Sequence, residues 1–140
     1  VTFQFDPQSD PFEQLALILD EVAKLKRANN HTTLIVYPNT GPFTQFEHFL
    51  DFCETAKAVL AQQHLNKHIQ IACFHPDFVF SGEEDDDPAN AVNRSPVPIL
   101  HLLRIEDVEK AIKKHPDAAN ISFSNMTKLR KRAKQKKAKT

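Results

Sequence analysis

The chain has 140 residues, of which 41% are hydrophobic and 26% are charged, and these values are typical of one globular domain. Only two glycines occur, too few for the glycine-rich loops that hold phosphate in nucleotide-binding proteins. The two cysteines exclude a disulfide-dense scaffold and favour a reducing compartment, which we expect to be the cytoplasm. No apolar run is long enough to span a membrane, so we predict no membrane partner.

The charge is unevenly distributed, although 18 basic and 18 acidic residues give a net charge of zero. Eight of the basic residues lie within positions 128–140, and no acidic residue follows Asp117. We therefore divide the chain into one α/β domain, residues 1–126, and a basic tail, residues 127–140, which is helical or disordered. The tail either contacts nucleic acid or another polyanion, or is a solvated chain end.

The first elements follow from local patterns. Residues 1–5 alternate apolar and polar side chains and predict an edge strand. Asp10 as N-cap and Pro11 at the first helical position predict a helix that ends near Ala28 or Asn29. Its apolar stripe consists of Phe12, Leu15, Ile18, Leu19, Val22 and Leu25.

Two further strands flank a second helix. Residues 32–37 are apolar and β-branched, which is typical of a central parallel strand, and residues 69–74 predict a third strand. Between them, a capping box of Thr44 and Glu47 predicts a helix that reaches about His64. This β-α-β-α-β order makes the three strands parallel.

The remainder contains a long irregular segment, residues 75–98, with five consecutive acidic residues at 83–87. Residues 99–104 predict a fourth strand, residues 106–114 a helix, and residues from Ser122 or Ser124 a last helix. We expect an α/β (α+β) fold: a mixed sheet of about four strands with a parallel β-α-β-α-β core, helices packed on the sheet and C-terminal helices.

Ligands of parallel α/β sheets bind beyond the carboxyl ends of the strands. Here that rule selects Asp6, Asn39 and the segment that begins at His75. His75 and Asp77 are candidates for catalysis, since a carboxylate beside an imidazole orients a general base. The alternatives are a metal site that includes Asp87, and a structural turn at the end of the strand.

The same region offers candidates for ligand binding: Asn90, Asn93, Arg94, Ser95 and Arg104. An arginine fork matches phosphate or carboxylate, although Arg94 could instead hold the acidic segment in place. His101 is a third catalytic candidate, and its alternative is a hydrogen-bonded histidine of the core. We assign no metal ligands and leave the cofactor unknown.

Segments 71–78, 86–90, 93–96 and 100–104 resemble an uncharacterised family, domain of unknown function 1415. On that resemblance, seven candidates match positions of the family's motifs: His75, Asp77, Asn90, Asn93, Arg94, His101 and Arg104. The resemblance implies relatedness and names no activity.

Two hypotheses of function follow. The first is a small enzyme acting on a phosphorylated or carboxylated metabolite, in which Arg94 and Arg104 hold the anion and His75, oriented by Asp77, transfers a proton. The second is a non-catalytic domain that binds a ligand or partner and carries the basic tail for nucleic acid or another polyanion.

Overall fold

The structure, a computed structural model, describes residues 1–80 and 82–114 of the chain. Within them lie strands β1 (Thr2–Phe5), β2 (Thr32–Val36), β3 (Ile69–Phe74) and β4 (Ile99–Arg104). The helices are α1 (Pro11–Lys26), α2 (Phe46–Gln62) and α3 (Ile105–Lys114), and short 3-10 turns cover Gly41–Thr44 and Pro88–Asn93.

The four strands form one mixed sheet in the order β1-β2-β4-β3. β1 and β2 pair in parallel, whereas β4 pairs antiparallel with both β2 and β3. The mixed sheet was predicted, and β1, β2 and β3 do run in the same direction. The parallel core is interrupted, however, because β4 lies between β2 and β3, and only β1 and β2 are adjacent parallel strands.

Both long helices pack on the same face of the sheet, here called the covered face. A right-handed crossover from β1 to β2 and a second one from β2 to β3 move in the same direction across the sheet, which places both helices on one side. The core joins Ile18 and Val22 of α1 and Phe49 and Cys53 of α2 to the covered side of the strands. That side contributes Ile35, Ile69, Ile71, Cys73, Leu100 and Leu102.

The opposite face, here called the open face, carries the alternate residues of each strand. Phe3 and Phe5 of β1 are 69% and 61% exposed, and the other residues of this face are exposed or half-buried. The strand register aligns them in three rows: Phe5-Val36-Ile99-Phe74, Phe3-Leu34-His101-Ala72 and Thr32-Leu103-Gln70.

Helix α1 begins as predicted, since the Asp10 side chain accepts a hydrogen bond from the Phe12 N–H at 3.0 Å. The predicted cap of α2 is wrong: the N-cap is Gln45, and the Thr44 hydroxyl instead donates to the Gly41 carbonyl at 2.8 Å within a 3-10 turn. Phe12, assigned to the apolar stripe of α1, is 82% exposed, and the buried side of the helix begins at Gln14.

The predicted last helix and the basic tail, residues 127–140, lie outside the described residues. Among the helices that are described, none combines the length and the apolar character that crossing a bilayer requires.

Candidate functional site

His75 follows β3 and is fully buried on the covered face. Its Nε2 lies 2.7 Å from the Phe43 carbonyl oxygen, and its Nδ1 accepts a hydrogen bond from the Asp77 backbone N–H at 3.0 Å. Because Nδ1 accepts, the ring proton is on Nε2, which donates to Phe43. The ring also packs against Phe46 and Phe49, with centroids 5.5 and 5.8 Å away. Both ring nitrogens are therefore engaged with the backbone.

Asp77 does not orient His75 in the predicted manner. Its contact with the imidazole comes from the backbone N–H, whereas its exposed side chain lines an open depression together with Arg94. His75 and Asp77 are joined instead through a turn of the main chain. This geometry matches the structural alternative.

The two asparagines hold the long segment in place. Asn90 is fully buried; its Oδ1 accepts from the Phe80 N–H at 2.9 Å, and its Nδ2 donates to the Glu84 carbonyl at 2.9 Å. Asn93 donates from Nδ2 to the Cys73 carbonyl at 3.0 Å, and its own carbonyl accepts from the His75 N–H at 3.2 Å. Asn90 thus closes the acidic stretch on itself, and Asn93 fastens the end of the segment to β3.

Arg94 is exposed and spans the same segment. Its Nε donates to the Phe78 carbonyl at 3.1 Å, and its Nη2 donates to the Asp85 carbonyl at 3.0 Å. Arg94 thus holds the acidic segment in place, as the alternative interpretation predicted, although its hydrogen bonds are to main-chain carbonyl groups. The depression it lines also includes Glu47, Asp77 and Asp85, whose carboxylates oppose the approach of an anion. Ser95 donates its hydroxyl to the Val97 carbonyl at 2.6 Å.

His101 and Arg104 lie elsewhere, so the single pocket that we expected around His75 and both arginines does not form. His101 is on the open face, where its Nε2 lies 2.5 Å from the Thr32 hydroxyl oxygen. Arg104 pairs with Ile69 at the start of β3, whereas His75 follows the other end of that strand. The length of β3 separates these two ends by about 17 Å. The antiparallel direction of β4 displaces Arg104, and the alternation of side chains along β4 places His101 on the open face.

Arg104 forms a structural ion pair at that distant end of the strands. Its Nη1 donates to both carboxylate oxygens of Asp107, at 2.9 and 3.1 Å, and its Nη2 lies 3.5 Å from the Glu106 carboxylate. The Arg104 side chain is only 10% exposed. The pair fixes the start of α3 against the end of β4.

A different cleft lies at the carboxyl ends of β1 and β2. It has a volume of about 350 Å³ and lies between the first turn of α1 and the N-terminal half of α2. Its apolar lining consists of Pro7, Pro11, Leu15, Pro38, Gly41, Pro42, Phe43 and Phe52. The strand-end rule had selected Asp6 and Asn39, which adjoin this cleft, but the lining residues themselves were missed. The signal in the sequence was the set of prolines that follows each of the two strands.

The polar groups of the cleft lie on its two walls. His48, Asp51 and Thr55 are spaced three and four residues apart and share one side of α2. The other wall presents Gln8 and Gln14, together with Ser9 and Thr40, and Gln14 Nε2 donates to the Gln8 carbonyl at 2.8 Å. No lysine or arginine lines the cleft among the described residues.

Two buried polar atoms lack hydrogen-bond partners in the described part of the chain: Asp6 Oδ2 and the Tyr37 hydroxyl. Asp6 and Tyr37 extend the register Phe5–Val36 by one residue, so they adjoin each other on the covered face. Burial raises the pKa of Tyr37, and the Asp6 carboxylate raises it further. Pro7 and Gln8 follow Asp6, and Pro38 follows Tyr37, so this pair lies directly behind the cleft lining.

Comparison with known proteins identifies a family for this chain but assigns no activity to it. The family model described as Protein of unknown function (DUF1415) matches residues 1–139. The chain belongs to the DUF1415 family. This confirms the resemblance on which seven candidate residues were noted. No curated protein and no solved structure matches the chain.

The residues that carried the DUF1415 resemblance divide into separate roles in this structure. Main-chain groups are bound by His75, Asn90, Asn93 and Arg94, which tie the long segment together and to its surroundings, and Arg104 anchors a helix at the opposite end of the strands. Within residues 1–80 and 82–114, no three His, Cys, Asp or Glu side chains are grouped as a metal site would need. The cleft is therefore the best candidate for a ligand site on this DUF1415 domain.

Proposed function

We propose that this chain is a small-molecule-binding domain whose ligand occupies the cleft between the first turn of α1 and the N-terminal half of α2. The observation that carries the proposal is the position of the cleft at the carboxyl ends of the adjacent parallel strands β1 and β2. Ligands of α/β sheets occupy that position because the strand ends and the helix starts open a crevice there. The volume, about 350 Å³, suits a small ligand.

The lining argues for a ligand with an apolar body and a few hydrogen-bonding groups. Proline, leucine and phenylalanine side chains supply the apolar surface, and amide and hydroxyl groups supply directional contacts. Asp51 is the acidic group of the lining, and no lysine or arginine balances it there. An uncharged or cationic ligand is thus favoured over the phosphorylated or carboxylated metabolite that we first considered.

Binding is favoured over catalysis by the state of His75. A general base needs a free nitrogen within reach of substrate, whereas both nitrogens of His75 are bonded and its side chain is fully buried. Arg94 is surrounded by carboxylates and bonded to carbonyl groups. We therefore assign the His75–Arg94 segment to the support of the fold and place the ligand at the cleft.

The experiment fills the cleft and measures binding of small probes. Thr55 lines the cleft from α2, so Thr55→Trp would occupy the space of the ligand. Glu54→Trp is the matched control, because Glu54 is its exposed neighbour on the same helix and lies outside the cleft. The probes are uncharged and cationic aromatic fragments, observed by chemical-shift changes in the ¹⁵N-labelled full chain.

We expect fragments to shift amide signals of Ser9, Thr40 and Asp51, and these shifts to disappear in Thr55→Trp but persist in Glu54→Trp. A screen whose hits all map to the depression around Arg94, and which prefers anionic fragments, would restore the first hypothesis. A screen without hits at the cleft would remove the proposed ligand site.

A further inference from the structure

Asp6 is a fully buried acid directly after β1. Its Oδ1 accepts a hydrogen bond from the Gln8 backbone N–H at 3.0 Å, whereas its Oδ2 has no partner among the described residues. In that part of the chain, no lysine, arginine or histidine forms an ion pair with it. A buried carboxylate without a cation is costly, and buried charges in proteins are normally paired. A positive partner for Asp6 is therefore missing from the described residues.

The neighbouring Tyr37 is not that partner. Its hydroxyl is buried as well and lacks a hydrogen bond within the described residues, so the hydroxyl and the Asp6 carboxylate do not bond to each other. The Tyr37 ring packs edge-on against Phe43 and Phe52, with ring centroids 5.3 and 5.7 Å away. Both phenylalanines line the cleft. The two unpartnered groups thus adjoin the inner side of the cleft wall.

Gln14 carries a second free acceptor nearby. It lines the cleft, although the residue is only 4% exposed. Its Nε2 donates to the Gln8 carbonyl at 2.8 Å, and because a carbonyl can only accept, this bond fixes the orientation of the amide. The other amide atom, Oε1, forms no hydrogen bond to any described residue. Gln8 is bonded to both Gln14 and Asp6, which places the two free acceptors beside the same residue.

We propose that the ligand of the cleft carries a primary ammonium group on an apolar body, and that this group binds beside Gln8. There, Gln14 Oε1 accepts a hydrogen bond from the ammonium group, and the Asp6 carboxylate supplies the countercharge. The inference rests on the proposed function and names the class of its ligand. An ammonium group has three N–H donors and no acceptor, which matches free protein atoms that accept hydrogen bonds.

The burial of Asp6 favours a cation over a neutral donor. Electrostatic attraction increases as the effective dielectric constant falls, so a buried carboxylate attracts a cation more strongly than an exposed carboxylate does. Asp51, the acid of the cleft lining, is exposed and contributes less because water and salt screen it. An anionic ligand would instead meet an unpaired negative charge behind the wall. The apolar side chains of the cleft cover the body of the ligand.

The test compares three probes that share one aromatic body: benzylamine is cationic, benzyl alcohol is neutral and benzoate is anionic. Dissociation constants are measured by titration of the ¹⁵N-labelled full chain and observed at the amide signals of Ser9 and Thr40, which line the cleft. Asp6→Asn removes the buried charge and keeps an oxygen acceptor. Asp20→Asn is the matched control, because Asp20 is an exposed residue of α1 outside the cleft.

We expect benzylamine to bind the parent at least about tenfold more tightly than benzyl alcohol, the ratio that one hydrogen bond to a charged group supplies. Benzoate should not shift the cleft signals. Asp6→Asn should lose the preference for benzylamine while its affinity for benzyl alcohol changes little, and Asp20→Asn should keep the preference. A second variant, Gln14→Lys, replaces the free acceptor by a tethered ammonium group and should abolish benzylamine binding.

The outcomes separate this inference from the proposed function. Equal affinities of benzylamine and benzyl alcohol at the cleft of the parent would overturn the ammonium inference and leave the small-molecule site in place. Benzylamine binding that is unchanged in Asp6→Asn would also overturn it. If Asp6→Asn does not fold, unchanged benzylamine binding in Gln14→Lys has the same consequence. Cleft signals that respond to none of the three probes would remove the inference and the proposed ligand site together.

Discussion

At the scale of single residues, buried side chains of the long segment form hydrogen bonds to the main chain and leave few polar groups free to bind a ligand. Asn90 is the clearest case, since its amide satisfies the Phe80 N–H and the Glu84 carbonyl while its side chain is fully buried. The sequence offered Asn90 as a ligand-binding residue. Its role in the structure is to close the turn around the acidic stretch.

Replacement of Asn90 by alanine should therefore destabilise the fold. Removing the amide leaves a buried N–H and a carbonyl unpaired, which costs about 1–3 kcal/mol. The measurement is the free energy of unfolding in urea. Asn29→Ala is the control, because Asn29 is exposed and should change stability by less than about 0.5 kcal/mol. Equal effects of the two substitutions would contradict the assignment.

His101 provides a prediction of how the stability of the fold depends on pH. Burial lowers the pKa of His101 below its ordinary value of 6.5. Between the pKa of His101 in the folded state and 6.5, the unfolded chain binds more protons than the folded chain. The contribution of His101 to the free energy of unfolding is therefore fully present above pH 6.5 and is lost as the pH falls through the pKa of the folded state. Acidification from pH 7 to 5 should lower the melting temperature of the parent more than that of His101→Gln.

At the scale of elements, helix α3 has no buried residue and depends on its first turn for attachment. The Arg104–Asp107 pair supplies that attachment with side chains 10% and 20% exposed. The pair is shielded from water, in contrast to the Lys57–Glu54 pair of α2, whose side chains are 44% and 59% exposed. Shielded pairs contribute more than exposed pairs because water and salt screen them less.

Asp107→Asn should accordingly cost about 1.5–3 kcal/mol of stability, the range for hydrogen bonds to charged groups. Glu109→Gln, on the exposed side of the same helix, is the control and should change little. Amide exchange in residues 105–114 would show whether the helix detaches locally. Unchanged exchange in Asp107→Asn would mean that the ion pair does not anchor α3.

At the scale of the whole molecule, the two cysteines report on global opening. Cys53 and Cys73 are both buried, and burial raises the pKa of the Cys53 thiol, with a hydrogen bond from Cys73 adding to the shift. The thiolate is the nucleophile that attacks a thiol reagent, and both cysteines are buried, so neither should react in the native protein at pH 8. Both should react in denaturant. Labelling of one cysteine without denaturant would reveal a local opening of the core.

The basic tail permits a second experiment on the entire chain. Residues 130–140 carry only Ala133 and Ala138 as apolar groups, so their deletion should leave the melting temperature within about a degree or two. If the tail contacts a polyanion, the deletion should abolish salt-sensitive retention on RNA or heparin. A large loss of stability would show instead that the tail docks on the acidic body.

Local patterns in the sequence were sufficient to predict most of the described strands and helices. The bounds of β3 and β4 were predicted as observed, and α1 begins at its predicted cap, because strand alternation and helix caps depend on neighbouring residues. The start of α2 was predicted incorrectly because Thr44 had a competing local partner, the Gly41 carbonyl.

The candidate site required tertiary information. Strand order and direction cannot be derived from local patterns, and the antiparallel pairing of β4 with β3 placed Arg104 and His75 at opposite ends of the strands. Likewise, the cleft combines residues 7–15 with residues 38–55, which are adjacent only because β1 and β2 pair.

By itself, then, the sequence determined the elements, the mixed sheet and the family, since these follow from periodicity, caps and motif residues along the chain. The tertiary structure alone decided which polar groups are free to act. Hydrogen bonds to main-chain carbonyls and amides engage His75, Asn90 and Arg94, and such partners become visible only when distant segments are brought together.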